Sequence, residues 1–188
     1  KGAYFEASND SDFNTTDTLH RFKRTPVFRN EINITAKKKY RYVRYHPHAR
    51  RHAYISEIEI FSSGKRLNCK AFGKGISNPE ACIDGDTYSF LDKAKSGKGV
   101  RLDFGQPETI DKIVLYPKND GNNVVAGKHY ELFCFVGGQW KKYGSYKSDG
   151  YTLVFKNVPS GGLYRLHCVD GGNEEQIFSY ENGHQVWW

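Results

Sequence analysis

Apolar and polar residues alternate in short runs along most of the chain. These runs are rich in aromatic and β-branched residues, and Gly, Asn, Asp or Pro separate them, as at Gly137-Gly138 and Asp149-Gly150. No long segment places its apolar residues at helical spacing. The predicted strands cover residues 40–45, 54–61, 100–104, 109–116, 129–136, 151–155 and 163–168. The pattern predicts an all-β protein, and a β-sandwich is the simplest arrangement of such strands.

The order of the runs also repeats loosely within the chain. The pair 40–45 and 56–61 is echoed by 163–167 and 174–178, and each copy closes on a glycine turn, at 62–64 and at 181–183. Residues 1–62 therefore resemble the second half of one module and residues 63–188 a complete one. The start at Lys1, without a Met, suggests a mature product or an excised piece of a longer protein.

A half sandwich leaves strand edges and an open core. Residues 1–62 are therefore expected either to dock on their neighbour or to need strands from outside this chain. Docking would bury the strand that carries Ile58 and Ile60 against residues 63–188.

Charge is unevenly distributed in a chain whose net charge is +7. Residues 21–51, called the basic belt below, contain eleven Lys and Arg but a single acid, Glu31. Such a belt, with tyrosines interleaved in 40–45, could bind a polyanion. The alternative is a solvated surface whose tyrosines fill the core. No apolar run approaches the ~20 residues of a membrane span, so no span is predicted.

Side chains with catalytic or metal-binding chemistry are scattered. The four cysteines show no CxxC spacing, which leaves disulfides open, and Cys134 and Cys168 are predicted to be buried free thiols because they lie in apolar alternating runs. His46, His48 and His52 could chelate zinc, but the neighbouring arginines would repel a cation, so an exposed loop is expected. No nucleophile–base arrangement is recognisable. The sequence therefore predicts that this chain is not an enzyme.

Three further segments carry a family resemblance. They are Ala81-Cys-Ile-Asp-Gly-Asp86, Val100-Arg-Leu-Asp-Phe-Gly105 and Ile110-Asp-Lys-Ile-Val-Leu-Tyr-Pro-Lys118. In this order they resemble the discoidin, or coagulation-factor type C, family, with Phe104 in place of a leucine and Lys118 in place of an arginine. Arg41-Tyr-Val-Arg44 and 56–61 match its closing strands. The resemblance implies a galactose-binding-like jelly-roll β-sandwich.

The end of the chain, 176–188, looks like a variant found in large secreted proteins of gut bacteria. Those proteins often carry a transglutaminase-like catalytic domain upstream. The resemblance therefore implies a secreted, periplasmic or cell-surface bacterial protein, in which this chain would be an accessory to the rest of its parent.

Family members that bind sugars often hold a structural calcium ion on the Asp-Gly-Asp turn. Calcium binds six to eight oxygens, and a tight turn presents side-chain and backbone oxygens together. By position the ligands here would be Ala81, Asp84, Asp86, Ser89, Glu174 and Glu175. This expectation requires Asp84 and Glu175 to meet at the rim of one jelly roll. A solvated Asp-Gly turn without metal is the alternative.

Ligands of this family meet the loops at one end of the sandwich. The matching positions here are Tyr88, Phe90, Lys118, Asn119, Asp120, Asn122, Asp170 and Asn173. Aromatic faces, a basic group and amides are the groups that a sugar site needs. The alternative is that Phe90 belongs to the core and that the asparagines only form turns.

The predicted function is a non-catalytic accessory module that binds a glycan or cell-surface polysaccharide. One alternative is a structural or protein-interaction spacer without a sugar ligand. The other is a polyanion binder that uses the basic belt, with no nucleic acid expected as its partner.

Overall fold

The computed structural model describes residues 2–26, 28–48, 53–94, 99–119, 121–171 and 175–188. The chain forms two compact units, Lys1–Asn119 (unit 1) and Asp120–Trp188 (unit 2). Both units are built from antiparallel β-strands, so the all-β prediction is confirmed.

Fifteen strands are present among the described residues. They are β1 Tyr4–Ser8, β2 Asp17–Arg21, β3 Asn30–Asn33, β4 Lys39–His46, β5 Ala53–Ser62, β6 Lys65–Arg66, β7 Lys70–Phe72, β8 Leu91–Ala94, β9 Val100–Thr109, β10 Lys112–Pro117, β11 His129–Val136, β12 Gln139–Lys147, β13 Tyr164–Cys168, β14 Ile177–Glu181 and β15 His184–Trp187. Each predicted strand except 151–155 coincides with or overlaps one of these.

Unit 1 contains two sheets that share one hydrophobic core. The first has the strand order β2-β1-β4-β9-β7, and the second has the order β3-β10-β5-β6, with β8 also paired to β5. Phe5, Val43 and Leu102 of the first sheet belong to the same buried cluster as Ile58 and Ile113 of the second. Two antiparallel sheets around one core are consistent with a β-sandwich.

The strands of 1–62 are integral to unit 1. β4 pairs with β9, and both β3 and β5 pair with β10. Ile58 lies opposite Leu115 and Ile60 opposite Ile113, and all four side chains are buried. Burial against residues beyond position 62 was expected for Ile58 and Ile60, and it is found. Each such side chain contributes about 1.5–3 kcal/mol when fully buried.

The compact units do not follow the boundary that the sequence repeat suggests at residue 62. In the first copy of the repeat β4 and β5 belong to different sheets, whereas in the second copy β13 and β14 pair directly. Similar strand sequences have therefore been used in different pairings. The residue range 63–188 spans the second part of unit 1 and all of unit 2.

The glycine turns that close both copies of the repeat are hairpin turns. Ser63 and Gly64 connect β5 to β6 with φ of 49° and 75°, and Asn182 and Gly183 connect β14 to β15 with φ of 52° and 78°. Two consecutive positive φ values give the turn twist that a two-residue hairpin favours. These short signals are read correctly from the sequence because they act locally.

Unit 2 is a single sheet with the strand order β12-β11-β13-β14-β15. Its core contains Leu132, Cys134, Tyr164 and Phe178. The strand predicted at 151–155 is wrong: this segment is irregular and runs beside the core, with Phe155 packed against it. Within it Leu153 and Phe155 are half-buried, and the other three residues are exposed.

The helical content of the described residues is one short 3-10 turn, Pro79–Cys82, and none of them forms a helix that could cross a membrane. The cysteines are all free. Cys134 and Cys168 are buried, as predicted.

Candidate functional site

The Asp84–Phe90 loop of unit 1 is shaped by its own aspartates. Asp84 accepts a hydrogen bond from the backbone N–H of Asp86 at 2.8 Å, and Asp86 accepts one from the N–H of Tyr88 at 2.9 Å. Side chains that bond two residues ahead form successive turns. Between them, Gly85 has a φ of +85°, which a side chain at this position would disfavour.

Four predicted metal ligands of unit 1 meet at Ser89, three from this loop and Ala81 from the 3-10 turn before it. The Ser89 Oγ lies 2.7 Å from Asp84 Oδ2 and 3.0 Å from each of the carbonyl oxygens of Ala81 and Asp86. A hydroxyl has one proton, so it can donate to only one of these three oxygens at a time. The result is a cluster of oxygen atoms that is chemically suited to a hard cation.

Glu57 of β5 holds the loop by a hydrogen bond to its backbone. This residue was not identified from the sequence. Its carboxylate accepts a hydrogen bond from the Gly85 N–H at 3.0 Å and forms an ion pair with Arg66 at 2.5 Å. Arg66 also donates to the carbonyl of Ile83 at 3.0 Å. The Glu57 side chain is only 2% exposed, and this burial raises the pKa of Glu57 to about 7. The sequence signal that could have identified Glu57 is an acidic residue between isoleucines in a predicted strand.

Glu175 lies in unit 2. Its carboxylate forms an ion pair with Arg165 at 3.1 Å and contacts His167 Nδ1. Glu174 lies outside the described residues. The expected ligands therefore belong to two units, and among the residues described no group of three or more His, Cys, Asp and Glu side chains is arranged to hold a metal ion.

The predicted sugar-binding residues also belong to both units. In unit 1 the Lys118 Nζ lies 4.4 Å from the centre of the Phe90 ring. The Lys118 N–H donates to the carbonyl of Tyr54 at 3.0 Å, and the Asn78 side chain donates to the carbonyl of Phe90 at 3.0 Å. The loop and the end of β10 are thus adjacent. Tyr88 and Asn119, half-buried, lie next to these positions along the chain.

Tyr54 is an aromatic residue of this region that the sequence interpretation did not select. It is 44% exposed, and its backbone is bonded to that of Lys118. The alternation in 54–61 predicted Tyr54 to be the first residue of a strand and indicated no role for it in binding. Its position beside Lys118 depends on the pairing of β5 with β10, which local pattern does not reveal.

The remaining described candidates have structural partners in unit 2. Asn122 accepts a hydrogen bond from the N–H of Gln176 at 3.3 Å. Asp170 accepts bonds from the His129 N–H at 2.6 Å and from its ring at 3.0 Å, and these bonds lower the pKa of Asp170. Asp120 and Asn173 lie outside the described residues. The expected loop cluster therefore has members in both units, and within unit 1 Lys118 lies against the Phe90 ring.

Several arginines and lysines of the basic belt have acidic partners from elsewhere in unit 1. Arg41 binds both carboxylate oxygens of Asp103, at 2.9 and 3.1 Å, and Arg44 binds Glu6. Lys38 forms an ion pair with Asp17 at 3.1 Å. The belt is therefore partly neutralised, and less of its charge is available to a polyanion than the sequence count suggests.

Of the three histidines, His46 is the last residue of β4 and is bound within unit 1, rather than lying in the expected exposed loop. The His46 Nε2 lies 2.8 Å from a carboxylate oxygen of Glu6, and its ring stacks on Tyr4 at 4.6 Å. His48 is exposed, and His52 lies outside the described residues together with Arg50 and Arg51.

Burial makes three of the cysteine thiols poor nucleophiles. It raises the pKa of Cys69 to about 11 and also raises the pKa values of Cys82 and Cys134. Only the thiolate attacks, so these thiols have low reactivity at neutral pH.

Unit 2 contains a groove of about 700 Å³ that no sequence motif indicated. Its floor includes Leu132, Leu166 and Phe178, and its wall is the irregular segment 151–160. The failed strand prediction at 151–155 falls on this wall.

The loop of unit 1 and the groove of unit 2 are thus the two candidate sites of the described chain. Comparison with known proteins does not assign either one: no protein-family model, no curated protein and no solved structure matches this chain.

Proposed function

We propose that this chain is a non-catalytic carbohydrate-binding module of a secreted or surface bacterial protein. In this proposal unit 1 is a galactose-binding-like jelly roll of the discoidin type. Its two antiparallel sheets and the order of its sequence motifs support that assignment. Its partners are a glycan and the remainder of the parent protein.

The observation that carries the proposal is the contact between Lys118 and Phe90. It joins a basic side chain to an aromatic ring 28 positions away in sequence, on the loop that also carries Tyr88. An aromatic ring can stack on the apolar face of a sugar, and an ammonium group can donate to its hydroxyls. Tyr54, exposed beside Lys118, adds a second aromatic surface.

Calcium has a structural role in this proposal. The Ala81 and Asp86 carbonyls, the Asp84 carboxylate and the Ser89 hydroxyl would supply oxygens to the ion. A bound ion would hold the loop in the shape that presents Tyr88 and Phe90. It would supply no reaction chemistry.

A glycan array followed by calorimetry tests the proposed site. We expect the wild-type chain to bind at least one galactose-containing or related neutral glycan, and the Lys118→Ala and Tyr88→Ala variants to bind it about tenfold more weakly. Lys65→Ala, an exposed lysine on β6, is the matched control. A blank array, or equal affinity in the variants at 88 and 118, would remove the proposed site.

A spacer module without a sugar ligand is the second candidate. The burial of Ile58 and Ile60 against β10 favours it, because residues 1–62 are used to complete a core. This candidate predicts a blank array together with a cooperatively folded unit 1. The polyanion alternative predicts heparin retention that falls when Lys37 and Lys39 are replaced by alanine, with a smaller salt slope.

A further inference from the structure

The groove of unit 2 lies between the sheet and the segment 151–160. Strands β11, β13, β14 and β15 contribute Leu132, Tyr164, Leu166, Phe178, Tyr180 and Gln185 to its lining. A volume of about 700 Å³ falls in the range of pockets that enclose small ligands. We call this feature the unit 2 groove.

Two contacts hold the wall of the unit 2 groove, one at its end and one at its middle. The Tyr164 hydroxyl donates to the carbonyl of Pro159. In the middle of the wall, the Phe155 ring packs on Tyr146 with the ring centres 5.0 Å apart, and a Cβ at Gly144 would lie only 3.0 Å from the Phe155 ring. The groove is therefore preformed, so a ligand would lose little free energy in ordering it.

The chemistry of the lining restricts the ligand. None of its fifteen residues is charged, although residues 120–188 contain six Lys and Arg and seven Asp and Glu. A charged ligand would lose its hydration without gaining an opposite charge. The complementary ligand is therefore neutral.

The lining is amphipathic rather than purely apolar. Tyr151 and Tyr180 are 50% and 52% exposed, and Thr152, Ser160 and Gln185 add hydroxyl and amide groups. A hydrocarbon or an apolar peptide segment would leave these polar groups facing nonpolar atoms, at a cost in desolvation. A ligand with apolar faces and many hydroxyls fits both kinds of group.

We propose that the unit 2 groove binds a neutral saccharide, with Tyr151 and Tyr180 as stacking surfaces and Gln185 as a hydrogen-bonding partner. This site is separate in sequence from the Phe90–Lys118 site. The inference shares the ligand class of the proposed function and is tested independently of it.

The test is a titration of the whole chain with a panel of neutral oligosaccharides, namely short cello-, xylo-, manno- and galacto-oligosaccharides. Binding is followed by calorimetry and by backbone NMR shifts. We expect Tyr180→Ala and Gln185→Ala each to weaken binding about tenfold, and the NMR shifts to fall on β14, β15 and 151–160. Phe135→Ala is the matched control, because Phe135 is 43% exposed in the same sheet but does not line the groove.

The two sites are separated by a second pair of variants. Binding that persists in Lys118→Ala but is lost in Tyr180→Ala supports the groove and not the unit 1 site. Binding lost only in Lys118→Ala overturns the groove proposal and leaves the proposed function standing. Loss of one of two calorimetric sites in each variant supports both.

Two other results would overturn the inference. One is an absence of binding across the panel while NMR spectra show a folded unit 2. The other is that the hydrophobic dye 1-anilinonaphthalene-8-sulfonate binds in a manner sensitive to Tyr180→Ala while no oligosaccharide competes with it. The second result would identify the groove as an apolar contact surface instead.

Discussion

Gly85 donates its backbone N–H to the carboxylate of Glu57 across 28 residues of sequence, at 3.0 Å. This bond ties the turn that carries Asp84 and Asp86 to β5, a strand with buried isoleucines. Arg66 holds the same carboxylate and also the carbonyl of Ile83. The shape of the loop therefore depends on a buried acid and its ion pair.

Glu57 should make the stability of unit 1 depend on pH. Burial raises the pKa of Glu57 from its ordinary value of 4.5 to about 7. The folded state then binds more protons than the unfolded state between these values, so the free energy of unfolding falls as pH rises from about 4.5 to about 7. The loss is at most about 3 kcal/mol. Urea unfolding at pH 5 and pH 8 should show this fall in the wild type and not in Glu57→Gln; equal pH dependence in both would contradict it.

At pH 8, where Glu57 is largely ionised, Arg66→Met should destabilise unit 1 by about 2 kcal/mol, because it leaves a buried carboxylate without its cation. The loss is smaller than for a fully buried pair, since the Arg66 side chain is 37% exposed. Denaturant midpoints measure the effect, and Lys65→Met on the same strand is the control. In a Glu57→Gln background the loss should shrink; an undiminished loss would show that Arg66 acts through other contacts.

Calcium should stabilise unit 1 if the oxygen cluster at Ser89 holds the ion. We expect calcium at a hundredfold excess over its Kd to add about 2.7 kcal/mol to the free energy of unfolding, and EDTA to reverse the gain. Asp84→Asn should abolish the response, whereas Asp12→Asn, in an exposed turn of the same unit, should retain it. Thermal unfolding with and without calcium measures the difference. If calcium did not change the thermal unfolding of the wild-type chain, the loop would be a turn that binds no metal.

Gly99→Ala should disrupt the pairing of β4 with β9. A Cβ at Gly99 would lie 1.8 Å from the carbonyl oxygen of Tyr45, and a backbone atom cannot move aside without shifting its strand. We expect a loss of about 3 kcal/mol. The control is Gly150→Ala, where a Cβ meets no atom within 4 Å. Circular dichroism with urea compares the two, and similar stabilities would show that β4 and β9 tolerate the shift.

A fragment of residues 1–119 should fold cooperatively, whereas fragments 1–62 and 63–119 should each remain unfolded. The reason is that β3, β4 and β5 find their partners in β9 and β10. Dispersed NMR spectra identify the folded fragments. If the fragment 63–119 folded alone, the prediction would be contradicted, and the module boundary that the sequence repeat suggests at residue 62 would be supported.

Much of the strand pattern could be predicted because alternation is local. The runs 40–45, 54–61 and 129–136 each became a strand. β2, with exposed and half-buried residues such as Asp17 and His20, lacks that pattern, and it forms because β1 offers it an edge. The segment 151–155 has the alternation but is irregular, and Phe155 packs against the core of unit 2 instead of forming part of a strand.

The contacts of the candidate site likewise divide into those between residues close in sequence, which could be predicted, and those between distant residues, which could not. The contacts of Ser89 with Ala81, Asp84 and Asp86 lie within nine residues, so a motif could predict them. The support from Glu57 joins residues 28 positions apart, which no local motif reveals. Glu174 and Glu175 were expected from the family resemblance; Glu175 belongs to unit 2, and Glu174 lies outside the described residues.

The sequence by itself determined the all-β class, the hairpin turns at 63–64 and 182–183, and the chemistry of the Asp84–Ser89 loop, because each depends on neighbouring residues. Only the tertiary structure decided that residues 1–62 complete unit 1, that Glu57 supports the loop, and that the wall at 151–160 encloses a groove. Those outcomes depend on which strands pair, and pairing is selected by the burial of a shared core rather than by any single run of residues.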